Sequence, residues 1–238
     1  GPDSLALLLL LDSIKDGASF RLEAVHFEHG LRGQEGEDDA RWCEGLCAKL
    51  RIPFRSLSLN VPENLCPGEG IEAAARRLRI EAWRKLADKD SVVALGHNSG
   101  DRAENLLLRL FRGSNSSGLS SMRHVQSLEG FTVVRPILDF SRTQIESWLK
   151  GKGHSEWRTD SSNLESDYKR NFIRNKLLPS INAEMPFAIE GMLQSLRTLE
   201  DDAGCLERMA EGCEAPPEPT VGFWSDLHPA VRCRVLRR

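Results

Sequence analysis

The chain has 238 residues, of which 40% are hydrophobic and 28% charged, which is enough apolar material for one large domain, or for one domain and part of a second. No apolar run approaches the roughly 18 residues that cross a bilayer. The longest run, over residues 5–11, also lacks the basic flank of a signal peptide, so we expect neither a membrane partner nor a leader. The net charge of −3 gives no global sign of nucleic-acid binding, which must therefore be argued from local patches.

The cysteines are dispersed along the chain, and none forms a Cys-x-x-Cys pair. Zinc sites and redox dithiols need such close spacing, so reduced thiols in a cytoplasmic protein are the better interpretation. The six cysteines are Cys43, Cys47, Cys66, Cys205, Cys213 and Cys233.

Up to Gly113 the hydrophobic pattern alternates between the periods of helices and of strands. It predicts helices over residues 5–15, 35–50, 70–87 and 101–112, and strands over residues 20–27, 54–61 and 91–97. This alternation is typical of an α/β protein with a parallel twisted sheet and helices on both faces. Ligands of such folds bind beyond the carboxyl ends of the strands.

Beyond Gly113 the predicted structure becomes mostly helical. Residues 124–135 are expected to form a small antiparallel pair, and helices are predicted over residues 142–150, 167–178 and 186–211, before a proline-rich linker at 213–222. We expect three parts: an α/β domain over residues 1–135, a helical segment over residues 136–180 that closes it, and an all-helical extension over residues 181–238 that begins a second domain.

The opening Gly1-Pro2-Asp3-Ser4 stands directly before an apolar helix. A glycine turn into a helix N-terminus exposes several backbone N–H groups, which together with the helix dipole can bind a phosphate. The Ser4 hydroxyl could bind a phosphate oxygen, and the Asp3 carboxylate could hold Mg²⁺. Taken alone, these four residues are better explained as a simple helix cap.

A second polar segment, "FEHGLRG", follows the first predicted strand. His29 and Arg32 would lie at the sheet edge where a nucleotide binds in α/β folds. An ordinary polar strand exit is the alternative, and His26, inside the strand, is expected to be a core residue.

The stretch "ALGHNSGDRAENLLLRLFRGS" is the most informative. His97 ends a strand, and Asp101 and Glu104 lie one turn apart at the start of the following helix. A histidine and two carboxylates at such a junction could bind a metal-bridged phosphate or orient a nucleophile. Favourable charge at a helix N-terminus is the alternative for both acids.

Three helices carry basic residues three or four positions apart, which places them on common faces. These faces could bind RNA phosphates, with Tyr168 stacking on a base, or could be solvated surfaces. The candidates are Arg76, Arg79, Arg109, Arg112, Arg170, Asn171 and Arg174. In the last of these helices, Asp160 or Ser162 is a candidate cap.

Taken together, these stretches resemble the tRNA(Ile)-lysidine synthase family, a branch of the N-type ATP pyrophosphatases of the PP-loop superfamily. Residues 1–4 resemble the end of its Ser-Gly-Gly-x-Asp-Ser phosphate loop, so we expect its first strand and the start of that loop to precede Gly1. "RPILDFSRTQIESWL" and "DSSNLESDYKRNFIRNKLLP" resemble the segment that closes its catalytic domain. Asn98 and Gly100 depart from the family, which usually has a second histidine and an acid there, and Asn105 replaces a threonine.

The resemblance implies a Rossmann-like, adenine nucleotide alpha hydrolase-like fold and a ligase that joins free L-lysine to the wobble cytidine of an isoleucine tRNA with a CAU anticodon. ATP and Mg²⁺ would be required, and a homodimer would be compatible. The implied ATP-binding residues are Gly1, Pro2, Asp3, Ser4, His29 and Arg32. Catalysis would involve Asp3, His97, Asp101 and Glu104, and the basic faces above would bind the tRNA.

Two other functions fit parts of the pattern. Another PP-loop tRNA-modifying enzyme, such as a thiolase that uses an iron–sulfur cluster, would need clustered cysteines, whereas only Cys43 and Cys47 lie within one helical turn. A non-catalytic tRNA- or nucleotide-binding module would be indicated by a degenerate phosphate loop. The lysidine synthase interpretation requires that the start of the chain lie close to the corner formed by His97, Asp101 and Glu104.

Overall fold

The computed structural model describes residues 1–88, 90–128, 130–158, 168–216 and 218–237. Its strands are β1 (Ala24–Glu28), β2 (Phe54–Ser58), β3 (Val92–Ala94), β4 (Val125–Leu128) and β5 (Phe131–Val134). The helices of the first half are α1 (Pro2–Ala18), α2 (Gln34–Leu50), α3 (Ile71–Leu86), α4 (Ser99–Phe111) and the short α5 (Ser116–Leu119), with a 3₁₀ turn at Val61–Asn64. The later helices are α6 (Arg142–Gly151), α7 (Tyr168–Phe172), α8 (Leu178–Glu184), α9 (Ala188–Glu211), α10 (Val221–Asp226) and α11 (Pro229–Val235), and a π-helix, Ile173–Leu177, joins α7 to α8.

The strands pair mainly in parallel, which confirms the predicted α/β class. β1 pairs with β2 from Ala24↔Phe54 to Glu28↔Ser58, and β3 pairs with β5 from Val92↔Thr132 to Ala94↔Val134. β4 is antiparallel to β5, as expected for the small pair. Within the described residues, the hydrogen-bonded strands form two sheets, β1-β2 and β3-β5-β4, rather than one continuous ladder.

The observed strands are shorter than the predicted ones because their partners end early. The chain turns after β2 at Asn60, whose φ of 44° is left-handed, and this turn ends the ladder with β1. β5 lies between the turn at Gly130 and Pro136, which has no N–H to donate, so β3 has only three partner residues.

Helix α1 lies at the centre of the main core cluster. Its buried Leu5, Ala6 and Leu7 pack with Ile145 and Leu149 of α6. Partly buried side chains of α2 and β3 complete the cluster. The apolar run that opens the sequence is therefore buried between elements from both halves of the α/β region.

The C-terminal helices pack on α4, which confirms the predicted all-helical extension. Leu106 of α4 contacts Leu193 and Leu196 of α9 in one cluster. The side chain of Arg102, 1% exposed, reaches Asp139 at 3.2 Å and Glu200 of α9 at 2.6 Å. A buried cation of α4 is thus neutralised by acids from two other parts of the chain.

Within the described ranges, every helix is too short or too polar to cross a lipid bilayer.

The α1–α6 contact predicts a measurable dependence of stability on Leu149, which is fully buried. Leu149→Ala should lower the free energy of unfolding by about 2–5 kcal/mol, because it removes buried apolar surface and leaves a cavity. The measurement is urea denaturation followed by circular dichroism. Leu110→Ala is the matched control, since Leu110 is 53% exposed; equal losses in the two variants would contradict the assigned core.

Candidate functional site

The N-terminus of α1 lies directly against the loop between β3 and α4. A Cβ added at Gly96 would lie only 3.1 Å from the backbone carbon of Asp3 and 3.3 Å from the amide nitrogen of Ser4, so the close approach requires glycine. The Asn98 side chain donates to Asp3 Oδ1 at 3.2 Å. The start of the chain and the His97–Glu104 corner are therefore adjacent, as the sequence interpretation requires.

Helix α4 begins at Ser99, two residues before the predicted start, because Asn98 is its cap. The Asn98 side chain accepts from the Asp101 N–H at 3.1 Å, and Asp101 Oδ2 accepts from the Asn98 N–H at 3.0 Å. This reciprocal pair is a capping box. One oxygen of Asp101 is thus used structurally, and only its other oxygen, Oδ1, faces the basic residues described next.

Glu104 is a buried carboxylate, 1% exposed, held by two arginines. Arg170 Nε donates to Oε1, and Arg174 Nε donates to Oε2 at 2.8 Å. Arg174 also donates to Asp101 Oδ1 at 2.7 Å, and Arg170 donates to Glu72 of α3 at 3.1 Å. The acids of α4 and the two arginines therefore form one ion-pair network.

The predicted RNA-binding arginines have different surroundings in the structure. Arg170 and Arg174 use their guanidinium groups on the acids of α3 and α4, so they face inward more than a solvated stripe would. In contrast, Arg76 and Arg79 of α3 are exposed and make no hydrogen bond or ion pair to another described residue. Their RNA contacts remain predictions.

The other predicted tRNA contacts lie on α4 and α7. Arg109 donates to Asn105 at 3.3 Å along α4, and Arg112 is exposed at the end of that helix. Asn171 is partly buried on α7. The candidate caps Asp160 and Ser162, and the side chain of Tyr168, lie outside the described part of the structure.

His97 is oriented by a residue that the sequence patterns did not indicate. The buried Arg135, which follows β5, donates from Nε to His97 Nδ1 at 3.0 Å. The pKa of His97 is lowered to about 4, mainly because burial disfavours the charged ring; Asp101 opposes this shift, and the nearby Arg135, Arg170 and Arg79 add to it. His97 is therefore neutral at pH 7.

Asp3 fits the role of a single Mg²⁺ ligand. Protein sites commonly hold Mg²⁺ through one or two carboxylates together with substrate phosphates. No cluster of three or more His, Cys, Asp or Glu that could hold a metal by itself occurs within the described residues. In the structure Asp3 Oδ2 accepts from Arg142 Nη1 of α6 at 2.5 Å, so a metal ion at this oxygen would displace the guanidinium.

The loop that follows β1 is held in place by close packing and by ion pairs. Gly30 has a φ of 73° and lies against Asn60, whose Cα would be 3.3 Å from a Cβ at this position. Arg32 donates to the buried Asp39 at 2.9 Å, and Arg158 donates to the same carboxylate at 2.7 Å. The predicted roles of His29 and Arg32 in nucleotide binding remain untested by these contacts.

Sequence reasoning found the acids and also Arg170 and Arg174, but as RNA contacts rather than as the partners of Glu104. The capping box could have been read from Asn98-x-x-Asp101, since that spacing is its signature. Arg102, Arg135 and Arg142 gave no local signal, because each acts on a residue far away in the sequence.

A sequence model of the family described as the PP-loop domain matches residues 1–181. The chain belongs to this family. The match runs from α1 into α8 and includes every candidate site residue.

The chain is also similar to curated tRNA(Ile)-lysidine synthases, which confirms the resemblance expected from the motifs. It is 34% identical over 251 residues to that of Clostridioides difficile (strain 630), which covers 100% of this chain and 53% of the relative. It is 38% identical over 209 residues to that of Actinobacillus pleuropneumoniae serotype 3 (strain JL03), which covers 88% of this chain and 48% of the relative. The chain thus spans about half the length of the curated relatives it matches.

The fold is similar to that of a solved structure, the U34-tRNA thiolase NcsA from Methanococcus maripaludis with its 4Fe-4S cluster. The TM-score is 0.68, over 95% of this chain and 78% of the thiolase, with 13% sequence identity. At this identity the likeness concerns the fold alone.

The Glu104 network predicts that Arg174 contributes to stability. Arg174→Ala should lower the free energy of unfolding by about 1–3 kcal/mol, because it leaves the buried Glu104 with one cationic partner and removes a bond to Asp101. Urea titration at pH 7 measures the change. Arg41→Ala is the control, because the Arg41–Asp38 pair is exposed on both sides, and it should have a much smaller effect. A loss at Arg174 no larger than at Arg41 would show that the network is not stabilising.

Proposed function

We propose that this protein is a tRNA(Ile)-lysidine synthase, a ligase that forms a carbon–nitrogen bond between free L-lysine and C2 of the wobble cytidine in an isoleucine tRNA with a CAU anticodon. In this reaction the C2 oxygen is first adenylated with release of pyrophosphate from ATP. The ε-amino group of lysine then attacks C2 and AMP leaves. Membership of the PP-loop family and the similarity to curated lysidine synthases support the proposal.

The observation that carries the proposal is the adjacency of Asp3 and Asn98. It joins the N-terminus of α1, which favours anions, to the α4 corner, which carries buried and partly buried carboxylates. A polyphosphate and an amine could thus be held on neighbouring elements. This is the arrangement that two successive transfers at one cytidine require.

The first step needs stabilisation of the negative charge on the leaving pyrophosphate. The amide N–H groups of Asp3 and Ser4 lie in the first turn of α1, where they have no helical acceptor, and the Ser4 hydroxyl is exposed beside them. Preorganised donors of this kind lower the barrier to phosphate departure. Mg²⁺, when bound at Asp3, would neutralise phosphate charge.

The second step needs a neutral amine, so a nearby group must remove a proton from the lysine ammonium. We assign this role to the carboxylates of Asp101 and Glu104. The side chains of their partners Arg170 and Arg174 are 33% and 42% exposed, so these arginines can be displaced when a cationic substrate takes their place. His97 is assigned a contact with the bound nucleotide.

We assign tRNA binding to the basic residues around this corner. Arg76 and Arg79 are the strongest candidates, because both residues are exposed and neither has an acidic partner at bonding distance among the described residues. Arg109, Arg112 and Asn171 would extend the surface, and Arg170 and Arg174 would join it when they leave the acids. The cytoplasm is the proposed location, and the division at residues 135 and 180 is kept as the proposed domain organisation.

The cysteines give no support to a cluster-dependent thiolase. Cys43 and Cys47 lie one turn apart on α2, and all six cysteines are free thiols. No third metal-binding side chain joins any pair of them in the described ranges.

The decisive experiment is mass spectrometry of isoleucine tRNA after incubation with the protein, ATP and L-lysine. The wobble cytidine should gain the mass of one lysine less one water. Asp3→Asn should abolish both this product and ATP–pyrophosphate exchange, because it removes the carboxylate at the phosphate end of the site. Asp12→Asn is the matched control, since Asp12 lies in the same helix and pairs with Lys15 at 2.6 Å. An unmodified cytidine, or full exchange by Asp3→Asn, would contradict the proposal.

The tRNA surface predicts a change in salt dependence. Arg76→Ala combined with Arg79→Ala should weaken tRNA binding and reduce the slope of log K against log salt by about 1 for each lost phosphate contact. Filter binding between low and moderate salt measures the slope. Arg41→Ala removes one positive charge elsewhere and should leave the slope unchanged. An unaltered slope in the double variant would remove α3 from the interface.

A further inference from the structure

Arg135 is a buried cation without an acidic partner among the described residues. It is 7% exposed, and its guanidinium makes three hydrogen bonds, all to neutral acceptors. The acceptors are His97 Nδ1 at 3.0 Å, the Arg123 carbonyl at 2.8 Å and Gln126 Oε1 at 3.1 Å. Burying a charged guanidinium without an acidic partner costs free energy, which indicates that the orientation of Arg135 serves a function.

The bond to His97 determines where the imidazole proton lies. An arginine in a protein is always a donor, so His97 Nδ1 must present its lone pair. In a neutral imidazole the proton is then on Nε2. The lowered pKa of His97 favours the neutral ring at pH 7, so Nε2 is an N–H donor and has no lone pair available to take a proton.

The Nε2–H group is available to a ligand. It makes no hydrogen bond to another described residue, and the ring is only partly buried. His97 directly precedes Asn98, whose side chain contacts Asp3 at the phosphate end of the site. An acceptor oxygen of a bound nucleotide is the ligand atom that this placement favours.

We propose that Arg135 is a positioning residue that fixes His97 as an Nε2–H donor to an oxygen of the bound nucleotide. This inference rests on the proposed function for the identity of the ligand. Its consequence is that His97 is not the base of the second step. The proton released by the attacking lysine must instead go to the Asp101 or Glu104 carboxylate.

The tautomer can be measured without any enzymatic activity. In ¹⁵N-labelled protein at pH 7, long-range ¹H–¹⁵N correlation should show His97 with a protonated Nε2 and an unprotonated Nδ1, and His97→Gln identifies its signals by their loss. In Arg135→Met the ring should show averaged shifts of the two tautomers, whereas Arg135→Lys, which keeps a donor, should retain the Nε2–H form. A protonated Nδ1 in the unmodified protein would overturn the proposal, whether or not the variants fold.

Measurements of ATP affinity test whether His97 donates a hydrogen bond to the nucleotide. Arg135→Met should weaken binding of ATP roughly 2-fold or more, because a ring that averages two tautomers presents the Nε2–H donor only part of the time. Arg123→Met is the matched control, because it keeps the backbone carbonyl that Arg135 contacts, and it should bind ATP normally. Equal affinities in Arg135→Met and Arg123→Met would overturn the donor role.

The pH dependence of the lysine-transfer step distinguishes a His97 that donates a hydrogen bond from a His97 that acts as the base. His97→Gln supplies an amide N–H and should keep more activity than His97→Ala, with the shape of the pH–rate profile unchanged. If His97 were the base, both variants would lose the acid limb of the profile and would be equally inactive. If the tautomer is as proposed but the tRNA gains no lysine, the orientation by Arg135 stands and the proposed function fails.

Discussion

The organisation of the site depends on keeping the Glu104 carboxylate charged inside the protein. A buried carboxylate is stable only when cations and hydrogen bonds replace the water that it has lost, and Arg170 and Arg174 supply both. These arginines follow α6 in the chain, whereas Glu104 belongs to the α/β region. The ion pairs therefore hold α7 and the π-helix over the N-terminal half of α4, next to His97.

The opposite face of α4 repeats the same principle with reversed charge. There the buried residue is the cation Arg102, and Asp139 and Glu200 neutralise it. With one buried charge on each face, α4 is fixed in rotation about its axis, because turning it would separate both sets of partners. Its first turn is held further by the Asn98 capping box and by the contact with Asp3. These contacts hold the N-terminus of α1 at a fixed position relative to the acids of α4.

The helices and the candidate acids are largely predictable from the sequence. Hydrophobic periodicity determines the helices, and the short sequence motifs contain the acids. The sequence predicts the start of the helix at Gln34 to within one residue, whereas it begins the first strand at residue 20 instead of Ala24, since strand ends depend on a partner elsewhere in the chain. The Glu104 partners lie 66 and 70 residues away, and the His97 partner 38 residues away. No local pattern encodes such pairings, so the sequence predicts Arg170 and Arg174 as RNA contacts, with a solvated face as the alternative, and does not indicate Arg135.

The Arg102–Glu200 pair bears on where the protein can be truncated. The PP-loop family match ends at residue 181, yet an acid that neutralises the buried charge of Arg102 in α4 lies on α9, beyond that limit. The apolar contacts of Leu193 and Leu196 with Leu106 lie beyond it as well. A fragment trimmed to the family boundary would expose this face of α4 and leave Arg102 with a single acid, so α9 is expected to stabilise the region that the family model matches.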